Sequence, residues 1–400
     1  MPLAILSFVL TVIYVPGIAS AAQAPRWAVI ACMALLLFRQ KIRMTPAHWL
    51  GLGFLAYAAL SLWWTFIFDD GVLEFATMAM LIVPFCLGAE AEELAPVYWA
   101  MAAGVGINAG MQWFQGQNIH ALVEQTVAPG GLFANKNFVG EIAAMVLIAC
   151  IAKEVMPSDH SNPRTTDAWP RWRWLLLAGP ALALVLSGSR ASWLAVGITA
   201  VVALIRWRPM LAIVAVGAVF AGAFLIAAEP GAADTLMQRV GILRDTIPQL
   251  TWTGHGVGSY YSLYPSFAKY LNPIAVRSDH AHNDLVELAF EFGAAASLLY
   301  GVAIYALAAP FRAETAILVC FLAIGLFGFP LYNPATGFLA ALVAGHLCGL
   351  RHRLLRPVAG GRRDAGDRLA DAAEAGGEHG HAPAGGVVVS LRSPPATRPG

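Results

Sequence analysis

Long apolar runs separated by short polar breaks fill most of this sequence, and they limit the folds open to it. Hydrophobic residues make up 58% of the 400 residues and charged residues 12%, against about 25% charged residues in a typical soluble domain. The core of a bilayer offers backbone groups no water to bond, so a chain of this kind satisfies them within helices. We therefore predict an all-α, polytopic membrane protein.

The apolar runs divide into twelve candidate spans, since a span needs about 20 mostly apolar residues. Several are short as drawn, and we expect their helices to extend into flanking residues. The first has neither a basic leader nor a cleavage site, which favours a retained span over a removed signal peptide. The spans are Leu3–Ser20, Trp27–Phe38, Trp49–Phe68, Val72–Gly88, Val97–Phe114, Phe138–Ile151, Trp174–Leu186, Trp193–Ile205, Leu211–Ala227, Leu285–Ala308, Ala316–Phe329 and Ala335–Leu350.

Basic residues orient these spans, because cytoplasmic loops carry an excess of Lys and Arg. With both termini in the cytoplasm, almost every short inner connection is basic. The loop holding Glu90, Glu92 and Glu93 is acidic, but acidic residues count little in this rule. The inner-loop basic residues are Arg39, Lys41, Arg43, Lys153, Arg164, Arg171, Arg173, Arg206, Arg208, Arg312, Arg351, Arg353 and Arg356.

This orientation predicts a membrane domain at 1–356 and a disordered cytoplasmic tail at 357–400, which is too poor in apolar residues to fold. Between spans nine and ten, residues 229–284 form a large outer segment. Loops longer than about 15 residues are uncommon unless they are functional or disordered. The outer loop Gln115–Asn137 and the inner loop Glu154–Arg173 are also long.

Composition excludes several classes of site. The net charge is +1, without the clustered basic residues of a nucleic-acid-binding surface. All five cysteines lie in apolar stretches and none forms a CxxC pair, so we interpret them as small buried hydrophobic residues.

Arginines on the outer side are exceptions to the positive-inside rule, and each therefore needs a reason. Arg190 follows Ser187 in a tight Ser-Gly-Ser-Arg turn between two spans. A guanidinium suits bidentate binding of phosphate, and the serine hydroxyl could add a hydrogen bond. The alternative is an arginine that reaches lipid headgroups from the membrane surface.

A second arginine pair lies in the large outer segment. Arg239 and Arg244 belong to a predicted amphipathic helix, Thr235–Ile247, which Pro248 should end. The glycines of Gly254–Gly258 follow, and they would let the backbone turn or approach a ligand closely. An alternating glycine motif without a preceding strand is weak evidence for a site.

The most polar stretch near a span is Asp279–Asp284, Asp-His-Ala-His-Asn-Asp. Its histidines could be a general base, part of a metal site, or part of a polar helix cap with Asn283. Few other outer ligands are available, which disfavours a metal. Asp284, Glu287 and Glu291 fall on one helix face; ionisable groups within a span usually meet a partner or a cavity. Outer arginines are candidate partners, and a proton relay is the alternative.

Asn135 and Asn137 lie where the chain enters the sixth span. Their amides could hydrogen-bond a polar ligand, or they could cap the helix.

Taken together, four segments resemble the O-antigen ligase/O-antigen polymerase family of bacterial envelope glycosyltransferases. They are Phe133–Asn137, Ser187–Arg190, the arginine helix with Gly254–Gly258, and His-Asn-Asp-Leu-x-Glu-Leu-x-x-Glu-x-Gly at 282–293. The last is the most specific. The resemblance spans about Gly131 to Leu307, whereas the first five spans match only in hydropathy.

The resemblance implies a donor glycan on undecaprenyl diphosphate, used at the periplasmic face of the bacterial inner membrane without metal or cofactor. It implies an acceptor hydroxyl on a glycan or on lipid A-core oligosaccharide. The residues it implies are His282 and His280 in catalysis; Arg190, Arg239, Arg244, Arg277, Ser187, Asn135, Asn137 and Asn283 in binding the diphosphate or glycan; and Glu287 and Glu291 as supporting carboxylates. Of Arg239 and Arg244, the former is preferred because it lies nearer the start of its helix.

Three alternatives compete with ligation. A polymerase of the same family would use the same motifs. A transporter or flippase for a lipid-linked or anionic solute would place polar groups near the bilayer midplane, whereas here they cluster at one surface. A structural or assembly protein would leave the outer arginines and histidines without a role.

Overall fold

Helices form all the regular structure in the described residues, which are 1–16, 22–117, 123–155, 173–227, 232–269, 279–308 and 313–355 of a computed structural model. The prediction of an all-α fold is confirmed for these ranges. In chain order the helices are α1 Pro2–Val12, α2 Ala24–Leu37, α3 Pro46–Ser61, α4 Phe68–Met80, α5 Ile82–Glu90, α6 Ala95–Gly116, α7 Lys136–Val155, α8 Arg173–Leu176, α9 Ala178–Ser187, α10 Arg190–Trp207, α11 Pro209–Ala227, α12 Ala232–Thr246, α13 Ser259–Phe267, α14 Asp284–Phe292, α15 Ala294–Ala308, α16 Ala313–Gly325 and α17 Pro334–Leu355.

Local sequence explains many helix ends. Proline occupies the first turn of α1, α2, α3 and α6, where its missing N–H costs no hydrogen bond. Thr45 and His48 form a reciprocal capping pair at the start of α3. Gly188 ends α9 in the left-handed region, with φ +55°.

The centre of the core is α7, whose side chains from Val139 to Cys150 are largely inaccessible. It packs against α6, α9, α10 and α16. At Gly140, α7 lies close to the turn between α9 and α10, since a Cβ at this glycine would lie 2.6 Å from the Ser189 Cβ. This packing brings Arg190 to the same end of the core as the start of α7.

Outside this core the chain exposes large apolar side chains. On α11, Met210, Ile213, Val214 and Phe220 are each at least 69% exposed. A contiguous apolar surface of this kind marks a membrane or protein contact.

By length and composition together, one described helical stretch is suited to crossing a bilayer, Phe68–Glu90, with a mean hydropathy of 2.0. Shorter apolar helices accompany it, among them Ala24–Leu37 and Trp174–Ser187. The predicted count of twelve spans and their orientation stay predictions.

The outer segment folds against α14 through the glycines of Gly254–Gly258. All three have positive φ, and a Cβ at Gly254 would overlap the carbonyl of Glu291. A Cβ at Gly256 would lie 2.6 Å from the Thr65 Cα. The close approach that this motif permits is therefore to the protein's own backbone.

Residues Met1–His352 form one compact unit. The predicted tail, 357–400, and positions 156–172 of the predicted inner loop lie outside the described residues.

Candidate functional site

A sharp turn carries the two histidines onto α14. His282 has φ 53°, a left-handed conformation that is uncommon for a residue with a side chain. Asn283 follows as the N-cap, and its Oδ1 accepts a hydrogen bond of 3.1 Å from the Val286 N–H. The cap fixes where α14 begins, and therefore how the two preceding histidines are oriented relative to the helix.

His280 is paired with a carboxylate on the first turn of α14. Its Nδ1 lies 2.7 Å from Oε1 of Glu287, while Oε2 of Glu287 accepts a 2.8 Å hydrogen bond from the Ala281 N–H. Burial disfavours the charged ring, but the Glu287 charge and hydrogen bond outweigh it and raise the pKa of His280 above its usual value. His280 is therefore suited to carrying positive charge near neutral pH.

His282 has the opposite character, although it is two residues away. Burial, with smaller contributions from the charges of Arg239 and His280, lowers the pKa of His282 to about 4. Its Nδ1 is buried without a hydrogen-bond partner among the described residues. A neutral imidazole is the form that can accept a proton.

Of the two arginines on α12, Arg239 is the one that faces the histidines. Its Nη1 donates a 2.6 Å hydrogen bond to the Phe327 carbonyl. Burial lowers the pKa of Arg239, Glu141 opposes that shift and Arg190 adds to it, so all three charges lie within electrostatic range. Arg190 is half-buried at the first position of α10, whereas Arg244 is exposed. This arrangement supports the preference for Arg239.

The turn between α16 and α17, residues 326–333, forms one wall of the site; we call it the aromatic turn. Phe329 stacks on His280 with ring centroids 4.3 Å apart, and Tyr332 lies 4.7 Å from the same ring. Asn333 donates to Oε2 of Glu141 at 3.4 Å. Sequence reasoning missed this turn, although its run of aromatic and polar residues at a predicted outer end was a usable signal.

A second missed residue is Glu74, from α4. Ligand oxygens of Glu74, Glu287 and Glu291 all lie within 4.8 Å of one another, a spacing that could hold a metal ion. Three carboxylates this close and buried cannot all ionise without a cation or a proton between them. Glu287 is already the acceptor for His280 and Ala281. One oxygen each of Glu74 and Glu291 lacks a partner in the described chain, and a proton shared between them would satisfy both.

Several other predicted site residues are occupied in local structure. Ser187 donates to the Leu184 carbonyl at 2.7 Å and accepts from the Ser189 N–H. The Asn135 side chain accepts from the Asn137 N–H at 2.9 Å, which favours the helix-cap interpretation at the start of α7.

Some of the remaining predicted residues also make hydrogen bonds within the fold. Asn283 donates to the Leu326 carbonyl at 3.1 Å besides capping α14. Glu291 accepts from the Tyr260 N–H at 3.2 Å, which ties the outer segment to α14. Asn137 is half-buried in the first turn of α7. Arg277 lies outside the described residues.

Comparison with known families agrees with the motifs. Residues 175–301 match the protein family described as O-antigen ligase. This match confirms the family resemblance drawn from the sequence, and the O-antigen ligase family is a family of membrane proteins. The match supports a glycosyltransferase of the ligase or polymerase type. No curated protein matches the chain.

Proposed function

We propose that this protein transfers a glycan from an undecaprenyl-diphosphate donor to an acceptor hydroxyl at the periplasmic face of the inner membrane. The observation that carries the proposal is the contrast within one site. His282 is neutral, its Nδ1 has no hydrogen-bond partner among the described residues, and the positive charge of Arg239 lies nearby. The second histidine, His280, is paired with a carboxylate.

The arginines supply the positive charge that the departing diphosphate needs. Arg239 and Arg190 lie within electrostatic range of each other, although like charges repel. An anion between them removes that repulsion, and fixed charges aimed at a developing anion are a large source of rate acceleration. Because these groups and the charged His280 stabilise the leaving group, the proposed reaction uses no metal or other cofactor.

Proton transfer falls to His282. The acceptor hydroxyl gives its proton to His282 as its oxygen bonds to the anomeric carbon. The bond from that carbon to the diphosphate oxygen breaks, and its electron pair leaves with the diphosphate. Direct displacement of this kind inverts the anomeric configuration. The bound diphosphate offsets the charge of Arg239, which shifts the pKa of His282 upward toward the range of an effective general base.

The acceptor we propose is lipid A-core oligosaccharide, and a polymerase that extends a carrier-linked glycan is the alternative within the family. A deletion strain separates them: unligated polymer on its carrier indicates a ligase, and single repeat units on core indicate a polymerase. Unchanged glycans would reject both.

The assignment of the base is tested by His282→Ala, with His352→Ala as the control at the opposite end of α17 from the aromatic turn. We expect His282→Ala to abolish transfer, a loss of at least about 100-fold, while membrane insertion and the His352→Ala activity stay unchanged. Transfer would be assayed in vitro with purified donor and acceptor, with and without EDTA. Full activity of His282→Ala would overturn the assignment, and loss of activity in EDTA would overturn metal independence.

A further inference from the structure

The ring of Phe329 contacts both histidines of the site. Its centroid lies 4.3 Å from that of His280 at an interplanar angle of 26°, and 5.2 Å from that of His282 at 58°. Such centroid separations are typical of favourable ring contacts. One side chain thus lies against both the histidine suited to carry charge and the histidine suited to accept a proton.

The backbone that carries Phe329 is held by the site itself. Just before it, the carbonyls of Leu326 and Phe327 accept hydrogen bonds from Asn283 and Arg239, at 3.1 Å and 2.6 Å. Just after it, the Leu331 N–H donates to Oδ2 of Asp284 at 3.3 Å. The ring is therefore fixed relative to the arginine helix α12 and to the start of α14.

A further aromatic contact limits how far the Phe329 ring can turn. Phe138, on the first turn of α7, meets it edge-on, with centroids 5.6 Å apart and planes at 86°. Thr336 donates to the carbonyl of Pro330, the next residue, and Asn333 caps α17 through the Ala335 N–H. The ring thus contacts α7, and the backbone beside it is tied to the start of α17.

We propose that Phe329 is a positioning residue for the transfer reaction, holding His280 and His282 at the separation that the reaction requires. The inference rests on the proposed function. Phe329 lies outside the matched residues 175–301, so the family match does not assign it a role. Its face toward His280 also favours the charged imidazolium, because a cation is attracted to the face of an aromatic ring.

The test compares Phe329→Leu, Phe329→Tyr and Phe338→Leu in purified full-length protein. Leucine keeps most of the volume but removes the ring face; tyrosine keeps the face. Phe338→Leu makes the same change at a fully buried ring of the hydrophobic core, on α17. Rates are measured per molecule of folded protein, so a lower yield of one variant does not imitate a lower rate.

We expect Phe329→Leu to lower kcat about 10- to 100-fold, the scale on which misplaced catalytic groups slow reactions, with the donor KM unchanged. Phe329→Tyr and Phe338→Leu should each stay within about threefold of the unmodified protein, since both leave the histidines against an aromatic face.

Two results would overturn the inference: equal losses in Phe329→Leu and Phe338→Leu, or a loss in Phe329→Tyr as large as that in Phe329→Leu. Both would show that Phe329 only fills space. The proposed function fails separately, if His282→Ala keeps full transfer.

Discussion

The site has two walls of different origin. One, inside the matched residues 175–301, is made by α10, α12 and α14 and carries the arginines and histidines. The other comes from α4, α7 and the aromatic turn, all outside that match. The first wall holds the groups proposed to meet the donor and acceptor. The second contacts the first wall through Glu74 and Phe329, and its Glu141 lies within electrostatic range of Arg239.

The different origins of the two walls show that the matched segment does not contain the whole site. Glu74 of the carboxylate cluster, the carbonyl that holds Arg239 and the ring that contacts the histidines come from elsewhere in the chain. Substitutions in the two walls should therefore differ in the size of their effect and in the kinetic constant that they change.

The largest effect is expected within the first wall, from Arg239→Ala compared with Arg244→Ala. Removing one preorganised charge from a diphosphate site should lower kcat/KM about 100-fold or more. Arg244 is exposed on the same helix, so its replacement should change kcat/KM less than about threefold. Steady-state transfer rates measure both. Equal losses would mean that α12 as a whole, rather than Arg239, determines donor binding.

An intermediate effect is expected when Glu287→Gln is compared with Glu74→Gln, a substitution of its neighbour in the second wall. Glu287→Gln removes the negative charge facing His280 and should lower kcat about 10-fold or more. Glu74→Gln keeps a neutral, hydrogen-bonding side chain and should stay within about threefold if the shared proton is present. A large loss of activity in Glu74→Gln that an added divalent cation reverses would instead indicate a metal bound by the three carboxyl groups.

The smallest effect concerns pH. The raised pKa of His280 means that its charge is present below that value and is lost as pH rises through it. His282, with its pKa lowered to about 4, is neutral across the working range. We expect the alkaline limb of the pH–rate profile to belong to His280 and to move to lower pH in Glu287→Gln. An unchanged alkaline limb in that variant would contradict the pairing.

Local features were predictable from the sequence because they depend on neighbours along the chain. The helix of Arg239 and Arg244, predicted at Thr235–Ile247, forms at Ala232–Thr246. The polar cap before α14 forms at Asn283, one of the interpretations left open. The glycines of Gly254–Gly258 were less clear, because a sequence does not show whether a ligand or another backbone lies beside them.

By itself, then, the sequence determined an all-helical chain with apolar surfaces, the position of the histidine turn, and the motifs of the O-antigen ligase family. Only the tertiary structure decided that His280 and His282 differ, because their pKa values depend on the burial of each ring and on the charges of Glu287 and Arg239 near them in space. It alone brought in Glu74 and Phe329, which are more than 250 residues apart in the chain. Hydropathy and capping act over a few residues, whereas such pairings arise only when helices pack.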